Sequence, residues 1–166
     1  MYSVSHGCPC GFLGDPRKAC SCSTTQIARY RSKISGPLLD RIDIHIEVPA
    51  ARYQDLTSNI PAESSAQIKE RVEKAREVQR ERFKVEGILC NALMSHKQVR
   101  KFCVLGKEES ELLKMAMTEL NFSARAYDKI LKVSRTIADL AESEQIKIEH
   151  LSEAIQYRSL DRDFFV

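Results

Sequence analysis

Four cysteines near the start of the chain have the spacing of a candidate metal site. Cys8 and Cys10 form one pair, Cys20 and Cys22 form a second, and a loop containing glycine and proline separates the pairs. Four thiolates complete the tetrahedral coordination of a zinc ion and leave no open position for water. The single residue within each pair is fewer than the usual spacing of roughly two to four, so unliganded or oxidised thiols remain the alternative. The spacing predicts a closed, structural zinc site, with disulfides as the weaker interpretation.

A second candidate is Arg41, in the run SGPLLDRID over residues 35–43. A planar guanidinium can donate two parallel hydrogen bonds to phosphate oxygens. The turn before Arg41 would fix the backbone position of this residue. The residues alone also allow a simpler interpretation, in which Arg41 pairs with Asp40 or Asp43 at the surface. Both interpretations stay open at this point.

A third candidate is Arg125, which the sequence places in the first turn of a helix beginning after Ser123. A cation at a helix N-terminus opposes the helix dipole, so Arg125 carries a small local cost that suggests another purpose. A surface ion pair remains the simpler alternative here too. The remaining candidates have weaker patterns: His6, His45, His96 and His150 show no zinc-helix or nucleophile spacing, and we expect them to be surface or capping residues. Cys90 and Cys103 are expected to be small buried hydrophobic residues.

The composition indicates a soluble, helix-rich globular protein. The chain has 166 residues, of which 43% are hydrophobic and 30% charged, with no tryptophan. A net charge of +3 is too small to indicate a nucleic-acid partner. No apolar run approaches the roughly 18 residues of a membrane span, and no secretory signal is present, so the sequence predicts a cytoplasmic protein without a membrane segment.

The character of the sequence changes near residue 50. Residues 1–40 are rich in Cys, Gly, Pro and Ser and are predicted to be mostly loop with little helix. Residues 41–49 alternate apolar and polar side chains and predict one half-buried β-strand that ends at Pro49. Because a strand needs a partner, the rest of its sheet is expected upstream of residue 1.

The sequence after residue 61 predicts an all-α bundle. Ser64 and Gln67 fit a capping box at the start of a helix that runs to about Glu86. Further helices are predicted over residues 95–105 and 107–120, from Ser123 as N-cap to about residue 142, and over 148–157. In the helix after Ser123, the periodicity predicts one face with Tyr127, Ile130, Ser134, Ile137 and Ala141, and an opposite, projecting face with Arg125, Lys129, Lys132 and Arg135.

Several motifs in one order resemble a known family. They are CPCG at residues 8–11, CSC at 20–22, Gln26-Ile27 with Tyr30, SGPLLDRID at 35–43, SARAY at 123–127 and RTIADL at 135–140. Together they resemble the magnesium-chelatase-like AAA+ ATPases of the ComM and YifB type, from about Cys8 to Arg162. One departure is His6-Gly7, where the family has Asn-Pro, so the sensor residue of the core is missing or altered.

The resemblance implies a fold that is mainly α: residues 1–50 as the end of an AAA+ α/β core, with the cysteine-rich loop and one strand, and residues 51–166 as a helical lid domain. It further implies that Arg41 is an arginine finger and that Arg125 is a sensor arginine in contact with nucleotide. The sequence has no Gly-x-x-x-x-Gly-Lys-Ser/Thr motif, so the chain alone is expected not to hydrolyse ATP. ATP and Mg²⁺ would act in a full-length parent.

The resemblance leaves the biological task open. A ComM-like parent would remodel DNA or drive branch migration as a homo-oligomeric ring, with DNA as a partner. A magnesium-chelatase-like parent would be a metal-insertion motor instead. The third alternative is a helical interaction module that makes no use of ATPase chemistry.

Overall fold

The computed structural model describes residues 5–48 and 62–158, and these residues form helices joined by loops. A 3₁₀ turn over Asn91–Leu93 lies between the third and fourth α-helices. The α-helices are α1 (Thr24–Arg31), α2 (Gly36–Leu39), α3 (Ser65–Arg82), α4 (His96–Phe102), α5 (Lys107–Glu119), α6 (Ala124–Leu140) and α7 (Ile148–Gln156). The mainly α fold predicted from the sequence is confirmed. None of the helices in the described ranges is long and apolar enough to cross a membrane.

The predicted strand is not formed. Within 5–48 and 62–158 no residue is assigned to a strand, so residues 44–48 form no β-ladder there. Three apolar side chains of the alternating pattern, Ile44, Ile46 and Val48, are exposed. The alternation predicts a half-buried strand, but a strand is stable only against a second one, which this part of the chain does not supply. Pro49 and the predicted domain boundary at residue 50 lie outside the described residues.

Serine side chains begin the helices at the predicted positions. Ser64 is the N-cap of α3, and Gln67 completes the capping box by reaching back to the backbone of Ser64. Ser123 is the N-cap of α6, and its hydroxyl accepts a hydrogen bond from the backbone N–H of Ala126 at 3.2 Å. Each cap satisfies a backbone donor that the first helical turn leaves unpaired. Helix α3 ends at Arg82, earlier than the predicted Glu86, because the chain turns at Phe83.

Helix α6 is the centre of the bundle. It packs against α7, α3, α4 and the 3₁₀ turn. A continuous apolar core surrounds it, with Phe83 and Phe102 meeting edge to face at a centroid distance of 5.3 Å. The buried members of that core are Phe83, Met94, Val99, Cys103, Leu113, Ile130, Leu131, Ala138, Ile146, Leu151 and Ala154.

The assignment of faces on α6 was partly wrong. Ile130 and Ser134 are buried as predicted, whereas Tyr127 and Ala141, at the two ends of the helix, are exposed. Arg135 was predicted to project from the opposite face, but it is only 3% exposed. The reason is that neighbours cover α6 on several sides, so a polar residue outside the apolar stripe can still be buried when its hydrogen bonds are satisfied.

Candidate functional site

The segment after α2 contacts the first turns of α6 and the residues that follow α7. Arg158, beyond α7, has no exposed surface, and its Nη1 donates to the carbonyl of Ile42 at 2.5 Å. The backbone N–H of His45 donates to the carbonyl of Tyr157 at 2.7 Å. At the start of α6, the Ser123 hydroxyl donates to Asp40 at 3.3 Å. Three separate contacts therefore fix the path of this segment.

Arg41 lies within that segment, and its backbone is held by α6. Lys129 Nζ donates to the carbonyl of Arg41 at 2.9 Å and also forms an ion pair with Asp43. Asp40 is 3.9 Å from a guanidinium nitrogen of Arg158. The two carboxylates considered above as surface partners of Arg41 thus each lie beside another cation. The Arg41 side chain itself is exposed.

Arg125 lies in the first turn of α6, between Ser123 and Lys129, and its side chain is exposed. Because Ser123 and Lys129 both contact the Arg41 segment, the structure brings Arg41 and Arg125 to the same end of the bundle. The first turn of α6 contains no acidic residue. Arginine side chains beside the positive end of a helix dipole form an environment that favours an anion such as a phosphate.

The four predicted cysteine ligands also come together. Their sulfur atoms all lie within 4.8 Å of one another. The Sγ–Sγ distances are 3.3 Å for Cys8 and Cys10, 3.5 Å for Cys10 and Cys20, and 3.6 Å for Cys8 and Cys20. A backbone hydrogen bond from Phe12 lowers the pKa of Cys10 to about 5, which favours its thiolate. Despite a backbone hydrogen bond from Cys22, burial and the neighbouring thiols raise the pKa of Cys20 to about 12, and burial raises the pKa of Cys22. The arrangement can hold one tetrahedral ion.

A buried polar cluster was not predicted from the sequence. Asp139, whose side chain has no exposed surface, forms ion pairs with Arg82 and with Arg135, and accepts a hydrogen bond from Asn91 Nδ2 at 2.8 Å. Arg135 also donates to the backbone carbonyls of Ser143 and Glu144 at 2.6 and 2.7 Å. Burial lowers the pKa of Arg135. The four-residue spacing of Arg135 and Asp139 was the available signal, but it is equally common on exposed helix faces.

The weaker candidates have structural roles in the described chain. His150 accepts the backbone N–H of Lys147 at 3.1 Å, which confirms its predicted capping role, and His96 pairs with Asp128 at the surface. Cys103 is a buried core residue as predicted, and burial raises the pKa of its thiol to about 12. Cys90 is only partly buried.

Two family models match the chain in succession. The model described as magnesium chelatase, subunit ChlI, matches residues 3–56, and the one described as magnesium chelatase, subunit ChlI C-terminal, matches residues 62–158. The first match includes the cysteine cluster and Arg41, and the second includes Arg125 and the buried polar cluster.

Curated relatives match most of this chain. It is 42% identical over 142 residues to YifB of Escherichia coli and 44% identical over 141 residues to competence protein ComM of Haemophilus influenzae, which covers 85% and 84% of this chain and 27% of either relative. The protein Mb2921c of Mycobacterium bovis is 32% identical over 158 residues, covering 95% of this chain and 31% of that protein. The chain thus spans about a third or less of the length of these relatives. With more than half of its residues matched by the C-terminal model, the chain belongs to the magnesium-chelatase family, as a protein of the ComM and YifB type.

Proposed function

We propose that this chain is the C-terminal part of a ComM-like AAA+ ATPase, with Arg41 as an arginine finger and Arg125 as a sensor arginine for ATP hydrolysis in a homo-oligomeric ring. Residues 1–50 would then be the end of the nucleotide-binding core and residues 51–166 the lid. The observation that carries the proposal is the junction at the start of α6, where Ser123 and Lys129 bind the segment that carries Arg41.

An arginine finger needs a fixed backbone and a side chain that can leave its own subunit. Lys129 holds the Arg41 carbonyl, and Arg158 holds the next carbonyl, that of Ile42. The Arg41 side chain is exposed, so it can reach a phosphate on a neighbouring subunit without any rearrangement of the core. Its delocalised cation would neutralise the charge that develops on the transferred phosphoryl group.

Other parts of the full-length protein must bind the nucleotide itself. The sequence has no phosphate-binding loop, so ATP and Mg²⁺ would be bound upstream or by a neighbouring subunit. Arg125 would contact that nucleotide from the lid, where the positive end of α6 adds to its own charge. This chain's contribution is electrostatic: it supplies cations to the phosphates and no nucleophile.

DNA remodelling, such as branch migration, is the proposed use of the energy that ATP hydrolysis releases. The 44% identity to a competence protein favours it, because a matched stretch of 141 residues in this 166-residue chain must include the segments of both proposed arginines. The alternative is a metal-insertion motor, which the magnesium-chelatase family description supports. Branched-DNA binding that weakens steeply with added salt would favour the first use. Binding to porphyrin-synthesis proteins would favour the second.

Subunit mixing tests the proposed role of Arg41. Full-length Arg41→Ala is combined with a second variant that has a defective phosphate-binding loop. We expect each variant alone to lose about a thousandfold or more in ATP turnover, and mixed rings to regain part of it, because an intact Arg41 then faces an intact nucleotide site.

Arg100→Ala is the matched control, since Arg100 is another exposed arginine, in the last turn of α4. It should leave turnover unchanged. If mixing restores nothing and Arg41→Ala instead lowers the melting temperature, Arg41 has only a structural role and the proposal fails.

A further inference from the structure

We propose that Cys8, Cys10, Cys20 and Cys22 bind one Zn²⁺ in a closed, structural site that fastens the cysteine loop to the start of α1. The inference does not depend on the ATPase proposal.

The sulfur positions match a zinc tetrahedron. A Zn–S bond of about 2.3 Å gives sulfur–sulfur edges of ~3.8 Å. The three measured edges are 3.3, 3.5 and 3.6 Å, and no pair of the four ligand atoms is separated by more than 4.8 Å. Cys20 is close to both members of the first pair, so the sulfurs form one cluster and do not divide into two disulfide-ready pairs.

The backbone is shaped to hold the sulfurs together. The N–H of Gly11 donates to the carbonyl of Cys8 at 3.1 Å, and the positive φ of 79° at Gly11 turns the chain tightly after the first pair. In the second pair, the N–H of Cys22 lies 3.4 Å from the sulfur of Cys20.

The site is closed and made of one ligand type. Cys8 is 1% exposed, the other three ligands are partly exposed, and in the described part of the chain the cluster contains only cysteines. Four thiolates complete the coordination of zinc, so no position is left for a reacting water. Tetrahedral sulfur sites also accept iron. Zinc is the proposed ion because the surrounding contacts fasten the cysteine loop to α1.

Two basic residues lie in the segments that flank the cluster. Four thiolates with Zn²⁺ carry two negative charges. Lys18 lies over the ring of Phe12 at 4.1 Å, in the loop between the pairs, and Arg31 Nε donates to the carbonyl of Gly7 at 3.3 Å. Positive charge in these flanking segments would partly offset the charge of an anionic metal centre.

The cluster is joined directly to α1. Ser23, the N-cap of α1, immediately follows Cys22, and Arg31, in the last turn of α1, reaches back to Gly7. A zinc ion would therefore fix the first turn of α1, while Arg31 fixes its last turn to the same loop. Helix α1 has no buried residue of its own, so the cysteine loop, and not a hydrophobic core, would hold this helix in place.

Metal analysis of the 166-residue chain, purified without chelator, is the first test. We expect about one zinc per chain. After exchange with Co²⁺, the protein should show the thiolate charge-transfer and tetrahedral absorption bands of a four-sulfur site, a readout that needs no variant. Iron in place of zinc, a chain with much less than one metal, or a mass that indicates two disulfides would each overturn the proposal.

Ligand variants supply the second test. Cys22→Ser should weaken zinc binding by more than ~100-fold, a larger loss than outer-shell changes cause, and should expose the remaining three cluster thiols to alkylation. Cys90→Ser is the matched control, because Cys90 is partly buried outside the cluster. Equal zinc affinity in Cys22→Ser and Cys90→Ser would contradict the assignment of the ligands.

Discussion

Arg82 and Asp139 meet in a two-point ion pair between α3 and α6, although 57 positions separate them in the sequence. One of the two contacts, from Arg82 Nη1 to Asp139 Oδ2, measures 2.7 Å. The Asp139 carboxylate also binds Arg135, so a single buried carboxylate compensates two guanidinium groups. This arrangement ties the long, mostly exposed helix α3 to the centre of the bundle.

Asp139→Asn should destabilise the protein by about 3–5 kcal/mol, because it leaves two largely buried guanidinium groups without a compensating charge. Denaturant unfolding followed by circular dichroism measures the change. The control is Asp128→Asn on the same helix, whose partner His96 is exposed, and it should cost less than about 1 kcal/mol. Equal losses in the two variants would show that the buried cluster has no special energetic weight.

Ser123→Ala and Ser95→Ala separate a helix cap from the Arg41 junction. Both serines are N-caps, so each variant should lose about 1 kcal/mol of stability. Only Ser123 also donates to Asp40, next to Arg41. We therefore expect Ser123→Ala in the full-length protein to lower ATP turnover several-fold more than Ser95→Ala does. Identical turnover in the two variants would argue against coupling between the cap and the junction.

Arg125→Ala should weaken ATP turnover or nucleotide affinity in the full-length protein while leaving its melting temperature unchanged, because the side chain is exposed. Steady-state hydrolysis and binding of a fluorescent nucleotide measure the two effects. Arg100→Ala again serves as the control for the loss of an exposed cation. Turnover and affinity equal to the wild type would rule out the sensor role.

The buried thiol of Cys103 predicts a loss of stability at alkaline pH. Burial raises its pKa from 9.0 to about 12, so the unfolded chain ionises this group first. The stabilisation is fully present below pH 9 and declines as the pH rises toward 12, at up to about 1.4 kcal/mol per pH unit. Unfolding of Cys103→Ala between pH 8 and about 11 should show a shallower decline. Parallel curves would contradict the prediction.

Local features of the fold could be predicted from the sequence because their causes are local. The N-cap roles of Ser64 and Ser123 can be recognised from sequence within four residues of each serine. The paired spacing of the four cysteines indicates that their sulfur atoms converge. Contacts such as Arg158 with Ile42 could not be predicted, since 116 positions separate the two residues and no short-range pattern records the pairing.

Two interpretations depended on what surrounds an element. The alternation over residues 41–49 describes the sides of a possible strand but does not supply its neighbour, and residues 44–48 meet no second strand in the described part of the chain. Helical periodicity predicts that Arg135 projects from the outer face of α6, because the pattern considers only which residues are polar. It is buried because Asp139 and two backbone carbonyls meet its hydrogen-bonding needs.

The contact between His45 and Tyr157 connects the residues after α7 to the segment that carries Arg41, so fraying there would affect both. A final helical turn ordinarily opens and closes at little cost, independently of the rest of a domain. Here Tyr157 and Arg158, directly after α7, hold the backbone on either side of Asp43. Opening of that turn would release the backbone beside Arg41 at the same moment, so the two regions should exchange their amide hydrogens as one cooperative unit.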